Sequence, residues 1–339
     1  MDTPDIRRRF AERIERAAEE RRRAYRVFSD RSRPAEERRK ALDNAELRGQ
    51  DEIAEALDVF LDTEVDPALR ASALHALDIE VGERQDLIDT VIGVLQNSAE
   101  PAVVRLAALR VLQQSRFSGP AFNPKRPEYL AALRALVDEP DASLRQQALE
   151  ILAQEKDEYA QRRLLEGLED PSQAPVPPGK AVQLLGYDIH AEHYPILKGM
   201  VQNPPSPEAK QEAVRLLAAD PESKDLLAGV LKDKDERREV RNASAAALQS
   251  LAPAEFEEQA KQIVLDGDDY ADIRATAMNA LTLFADQDAL YEDTELTEQV
   301  EQLREQAPSQ EVERTAERFL RRQRRRRERR DRSDGPLSV

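Results

Sequence analysis

Asp66-Pro67-Ala68-Leu69-Arg70, with Ala73 and Leu77 behind it, is one copy of a pattern that runs nearly the length of the chain. An acidic residue, Ser or Pro comes first, then an aliphatic residue and Arg or Lys. Ala follows three positions later and Leu seven. The pattern returns as Glu100-Pro101 with Val104, Arg105, Ala108 and Leu112, and as Asp141 with Leu144, Arg145, Ala148 and Leu152. Further copies are Ser206-Pro207 with Lys210, Ala213 and Leu217; Val240-Arg241 with Ser244 and Leu248; and Asp269 with Ile273, Arg274, Ala277 and Leu281. Weaker copies stand at Arg38, Pro178 and Glu313. The arginine-equivalent positions 38, 70, 105, 145, 178, 210, 241, 274 and 313 are separated by 31 to 40 residues, a period typical of helical repeats.

Each residue type has a physical role. Asp, Ser or Pro caps a helix or fills its first turn, where a missing amide hydrogen costs nothing. The Ala lets neighbouring helices approach. The aliphatics form a stripe at helical spacing: Val104, Ala108, Leu109, Val111 and Leu112 in one copy. A second amphipathic segment precedes most copies: Leu87–Leu95, Tyr129–Val137, Tyr159–Leu168, Tyr194–Val201, Leu226–Leu231 and Phe256–Leu265. Each unit is thus a helix pair that cannot bury its apolar face alone, so pairs must stack.

Spacing and motif resemble those of bacterial HEAT repeats, including the HEAT-like repeats of phycobilin lyase-type proteins, over about residues 35–320. The resemblance implies an all-α fold, a right-handed α-α superhelix (a HEAT-like solenoid) of about eight helix pairs. It also implies an Asp–Arg ladder between repeats, here Asp66, Arg70, Arg105, Asp141, Arg145, Arg241, Asp269 and Arg274. Ser244 in place of Ala and Pro178 in place of Arg depart from the pattern.

Composition agrees with thin helical layers. The 339 residues include only 4% aromatics, no Trp and 11 Gly. No Cys is present, which removes disulfides and thiol chemistry. No leader-like segment and no stretch of ~18 apolar residues is seen, so the expected location is the cytoplasm. Net charge is −16, unevenly spread. Residues 1–40 carry +5 and residues 314–339 carry +7, leaving −28 on the body. Only ten of the 51 basic residues are Lys. Such acid-rich, lysine-poor chains are typical of proteins adapted to high salt; an arginine-biased genome is the alternative reading.

Three regions are expected: an arginine-rich capping helix over 1–34, the repeats over 35–320, and a basic tail over 321–339, either disordered or a solvated helix extension. Five positions after the motif arginines lie His75, Arg110, Glu150, Arg215 and Asn279, a polar row suited to a protein or peptide partner. An insertion over 115–127 adds Phe117, Phe122, Lys125 and Arg126, anchor-like residues in a turn-rich loop; folding back over the repeat junction is the other reading of the two Phe. Pro171–Pro178 is a second break. The tail offers Arg321, Arg322, Arg324, Arg325, Arg326, Arg327, Arg329 and Arg330 to a polyanion.

Catalytic constellations are weak. His190 and His193 sit near Asp188 and Glu192 without zinc-site spacing, and Asp266-Gly267-Asp268-Asp269 lacks the ligand pattern of a calcium loop. No phosphate-binding Gly loop or nucleophile motif occurs. No metal, cofactor or catalytic residue is therefore implied. The expected function is that of a non-enzymatic scaffold binding a protein partner. Its alternatives are a charge-driven binder of nucleic acid or anionic surfaces, and a lyase-like enzyme by fold analogy.

Overall fold

The computed structural model describes residues 3–43, 45, 47–284, 290 and 293–333. Among them are nineteen α-helices, several short 3-10 turns and no strand. The chain divides into two compact units, Met1–Pro175 and Val176–Val339.

The first unit holds α1 (Thr3–Ser29), α2 (Ala35–Leu42), α3 (Gln50–Leu61), α4 (Pro67–Ala76), α5 (Asp78–Glu83), α6 (Gln85–Gln96), α7 (Ala102–Ser115), α8 (Arg126–Ala135), α9 (Ala142–Gln154) and α10 (Glu158–Glu169). The second holds α11 (Pro178–Leu185), α12 (Tyr194–Gln202), α13 (Pro207–Leu216), α14 (Lys224–Lys232), α15 (Arg238–Leu251), α16 (Pro253–Leu265), α17 (Ala271–Phe284), α18 (Thr294–Glu305) and α19 (Gln310–Ser333). Packed partners are α1 and α2, α3 and α4, α6 and α7, α8 and α9 in the first unit. In the second they are α12 and α13, α14 and α15, α16 and α17, α18 and α19. Motif helices stack on motif helices: α2 on α4, α4 on α7, α7 on α9, and α11, α13, α15 and α17 in series. This is the HEAT-like arrangement of stacked helix pairs.

The motif's first residue does what its chemistry predicts. The Asp66 carboxylate accepts from the amides of Ala68 and Leu69 at 3.0 and 3.1 Å, and that of Asp141 accepts from Ser143 and Leu144 at 2.9 Å each. Each bond satisfies an amide that the first helical turn leaves without a partner. The aliphatic stripe is core. Val104, Ala108, Leu109, Val111 and Leu112 are fully buried, each large side chain contributing roughly 1.5–3 kcal/mol of transfer free energy.

The motif arginine is the hub of five repeats. Its Nε donates to the carbonyl ten residues earlier, at the end of the preceding helix: Arg38 to Phe28, Arg70 to Phe60, Arg105 to Leu95, Arg241 to Leu231 and Arg274 to Val264, at 2.7 to 3.1 Å. The two Nη groups of three of them then reach the next repeat as a bidentate fork, the geometry in which Arg holds a carboxylate best. Arg70 holds Glu100 at 2.7 and 3.0 Å, Arg105 holds Glu139 at 2.9 Å twice, and Arg241 holds Asp269 at 2.7 and 2.6 Å. Lys210 pairs with Glu236 at the corresponding step through its single ammonium group.

This corrects the expected ladder. Its acids are Glu100, Glu139, Glu236 and Asp269, five or six residues before the next motif cation. Asp66 and Asp141, four residues before theirs, are helix caps. Arg145 forms no such rung. Its Nε donates to the Pro175 carbonyl at 2.6 Å, because Gln173 stands where a carboxylate would be. Ser244, which replaces the usual Ala, is accommodated: its buried Oγ donates to the Leu227 carbonyl at 2.6 Å.

Arg38 forms no such rung: Val65 stands five residues before Arg70, and Glu64, six before, makes no ion pair with Arg38. Its buried Nη2 has no hydrogen-bond partner. Val65→Glu should therefore complete the ladder and stabilise the first unit by about 1 kcal/mol. A thermal midpoint that stays level or falls would show that the carboxylate does not reach Arg38.

The insertion folds as two 3-10 turns, Arg116–Ser118 and Asn123–Lys125, with Gly119 between them at φ 61°. That left-handed conformation favours glycine. At the other end of the chain, α19 carries the arginine run on to Ser333, so position 320 falls inside a helix. Residues 334–339 lie outside the described residues.

Candidate recognition surface

The row taken from the repeat period lies on the surface. His75, Arg110 and Arg215 are exposed, and Glu150 and Asn279 half-buried. Five residues after a motif arginine is roughly one and a half helical turns, which carries the side chain away from the stripe packed on the neighbouring helix. In the first unit His75 and Arg110 share one field. Partial burial of the ring and then the positive charge of Arg110 hold His75 below the ordinary histidine range. Glu150 accepts from the Gln146 amide at 3.1 Å.

The second unit shows what the row builds. Five positions after Arg241 the slot holds Ala246, which adds no polar side chain to the row. Between α13 and α15 this leaves an open groove of about 570 Å³. Ala218, Ala243 and Ala246 line its small-residue part, and Gln211, Arg215, Glu239 and Asn242 its polar part. Glu212 holds Arg215 through bonds of 2.9 and 2.6 Å, fixing a long side chain that solvent would otherwise leave mobile. The Asn242 side chain accepts from Thr276 at 3.0 Å, linking the groove to α17 one turn before Asn279. A surface with small residues below and donors and acceptors around them admits a peptide backbone closely and offers it hydrogen bonds.

The insertion residues part company. Phe117 is 78% exposed, with the Arg116 guanidinium 4.8 Å above its ring. Phe122 is withdrawn from the candidate surface: it is buried, edge-on to Tyr129 with centroids 5.3 Å apart, and serves as core. Lys125 pairs with Asp89 at 2.7 Å, and Arg126 shares Glu155 with Arg116.

In the tail, Arg321, Arg322, Arg324 and Arg325 are exposed on α19. The side chains of Arg326, Arg327, Arg329 and Arg330 lie outside the described residues. Nothing gathers into a metal site: among the described residues no three His, Asp or Glu side chains are so placed. His190 and His193 stack edge-on at 5.5 Å, and the His193 Nδ1 accepts from the His190 amide at 3.2 Å. Burial keeps His193 below its ordinary value. The carboxylates of Asp266 and Asp269 are occupied by Lys234 and Arg241. Among the described residues no helix is long and apolar enough to cross a membrane.

Gln211, Glu239 and Asn242 were missed by the repeat period. The first lies one turn before Arg215, so helical spacing could have found it. Glu239 and Asn242 flank Arg241 and are placed only by the packing of α15 on α13.

No protein-family model matches the chain, and no curated protein does. Among solved structures it is similar to human deoxyhypusine hydroxylase in complex with glycerol, at 17% identity and a TM-score of 0.29, over 90% of this chain and 96% of that one. It is also similar to the CpcE–CpcF complex of phycocyanin lyase from Nostoc, at 19% identity and a TM-score of 0.25, over 79% and 93%. Both are HEAT-like helical repeat proteins. One is named a hydroxylase and the other a lyase, which overturns the expectation that this chain is not an enzyme; that exclusion is withdrawn.

Proposed function

We propose that the chain works by binding a protein partner along the exposed face of its motif helices, with the groove between α13 and α15 as a principal contact. The observation that carries the reading is the groove itself, with small residues at Ala218, Ala243 and Ala246 and polar groups at Gln211, Arg215, Glu239 and Asn242. Polar grooves on rigid helical scaffolds suit extended segments of other proteins, whose backbone supplies the complementary hydrogen bonds. The reading concerns recognition, and it holds equally for an adaptor and for a catalyst whose substrate is a protein.

The test is a photo-crosslinking residue at Ala246 in the full-length chain, exposed to native lysate. A discrete protein adduct is expected at Ala246 and not at Lys232, which lies on α14. Ala243→Arg should fill the groove and weaken the same interaction at least about tenfold, or ~1.4 kcal/mol. Adducts as abundant at Lys232 as at Ala246, or unaffected by Ala243→Arg, would sink the reading.

A further inference from the structure

We propose that the groove between α18 and α19 binds the phosphate backbone of double-stranded nucleic acid through Arg304, Arg321, Arg324 and Arg325. These four side chains line one open groove of about 440 Å³, together with Glu317 and Leu320. Three come from one helix. Arg321 and Arg324, with Glu317, recur at the spacing of a single helix face, and Arg325 stands beside them. The fourth, Arg304, comes from the partner helix and carries no signal in the arginine run of the sequence.

What marks this cluster is that four guanidinium groups converge on one groove with so little carboxylate pairing. In a chain of net charge −16, many motif and surface arginines elsewhere hold carboxylates. Arg70, Arg105, Arg134, Arg163, Arg238 and Arg241 each hold one within 2.7 to 2.9 Å or closer. Among the described residues, Arg321, Arg324 and Arg325 form no ion pair or side-chain hydrogen bond. Glu317 lies one turn before Arg321 and still does not pair with it. Arg304 touches only its neighbour Glu305, at 3.6 Å. Guanidinium groups crowded within about 6 Å of helix rise and left unneutralised form a site for a ligand of dense negative charge.

The chemistry around the cluster selects among polyanions. No aromatic residue lines the groove, so it has no platform on which single-stranded bases could stack. From Arg321 to Ser333 no residue is apolar, and Phe319 and Leu320 are buried in the fold. A helix that lies in a membrane surface inserts an apolar face, and α19 has none there. What remains is recognition by charge and by the bidentate fit of guanidinium to phosphate. Duplex nucleic acid presents the densest array, and such binding is blind to sequence.

The test follows a fluorescent duplex of about 20 base pairs by anisotropy, with the full-length chain and the triple variant R321Q/R324Q/R325Q. Four phosphate contacts imply a log–log salt slope of about −3.6, so affinity should fall about 150-fold between about 50 and 200 mM salt. The triple variant keeps one contact and should show a slope of about −0.9 and a fall of only about 3.5-fold. Two duplexes of unrelated sequence should bind alike. Unchanged thermal unfolding of the variant keeps the comparison clean, since all three side chains are exposed. The proposal is overturned if the chain binds no duplex, or if the variant keeps the full slope. It is also overturned if phosphatidylserine vesicles or polyglutamate, at matched charge, bind as tightly as the duplex.

Discussion

Arg241→Ala should destabilise the second unit by about 3–5 kcal/mol, the largest loss expected of any single substitution in it. The side chains of Arg241 and Asp269 are 1% and 3% exposed. Truncating the arginine leaves a buried carboxylate with no cation, and the Leu231 carbonyl loses the Nε that caps its helix end. The loss measures this orphaning and not the net worth of the pair. Removing both charges should therefore recover much of it: in Arg241→Met with Asp269→Leu, apolar side chains replace the ion pair and no charge remains unpaired. The measurement is a denaturant titration of the chain and the variants, read as a shift in midpoint at constant slope. A double variant as unstable as Arg241→Ala would mean that the rung itself contributes the stability.

The same rung sets an acid limit. Burial alone would raise the Asp269 carboxyl, but the Arg241 fork outweighs it and holds the group below the ordinary aspartate range. Glu139 is likewise lowered, first by its bond to Arg105. A carboxylate depressed in the folded state stabilises fully above its unfolded pKa, about 4. That stabilisation is lost as the pH falls through the lower folded value. The chain should lose stability below about pH 4, and Arg241→Ala should flatten that dependence while lowering stability near neutral pH.

How much of this was legible in the sequence follows from what repeats. The arginine recurs with its aliphatic stripe, so its helix, its burial and the neighbouring helix pair could all be read. Its acid was assigned correctly only at Asp269, because caps and rungs differ by just one or two positions. Asp66 and Asp141 lie four residues before their arginines and turn their carboxylates onto helix amides. Glu100 and Asp269 lie five before, still in the loop, where a carboxylate faces the previous repeat. The groove escaped for the opposite reason: it is made by what is small, Ala246 in a slot where other repeats carry polar side chains. Phe117 and Phe122 lie in an irregular loop, where no period says which of two rings is core. The unpaired state of Arg321, Arg324 and Arg325 is likewise invisible to a count of charges, since Glu317 stands at pairing distance in sequence and does not pair.

Two neighbours on α7 test the register of every repeat at once. Leu112 is fully buried, whereas Arg110, two positions earlier, is exposed. Leu112→Ala removes buried methyl groups and leaves a cavity that stacked helices can only partly close, so a loss of about 2–5 kcal/mol is expected. Arg110→Ala removes an exposed side chain with no hydrogen bond or ion pair among the described residues, and its expected cost is under about 0.5 kcal/mol. A helix turns about 100° per residue, so a shift of one position would move Arg110 toward the core and Leu112 off its contact. Equal losses in the two variants would therefore displace the whole recognition row, His75 and Arg215 included, because one period places them all.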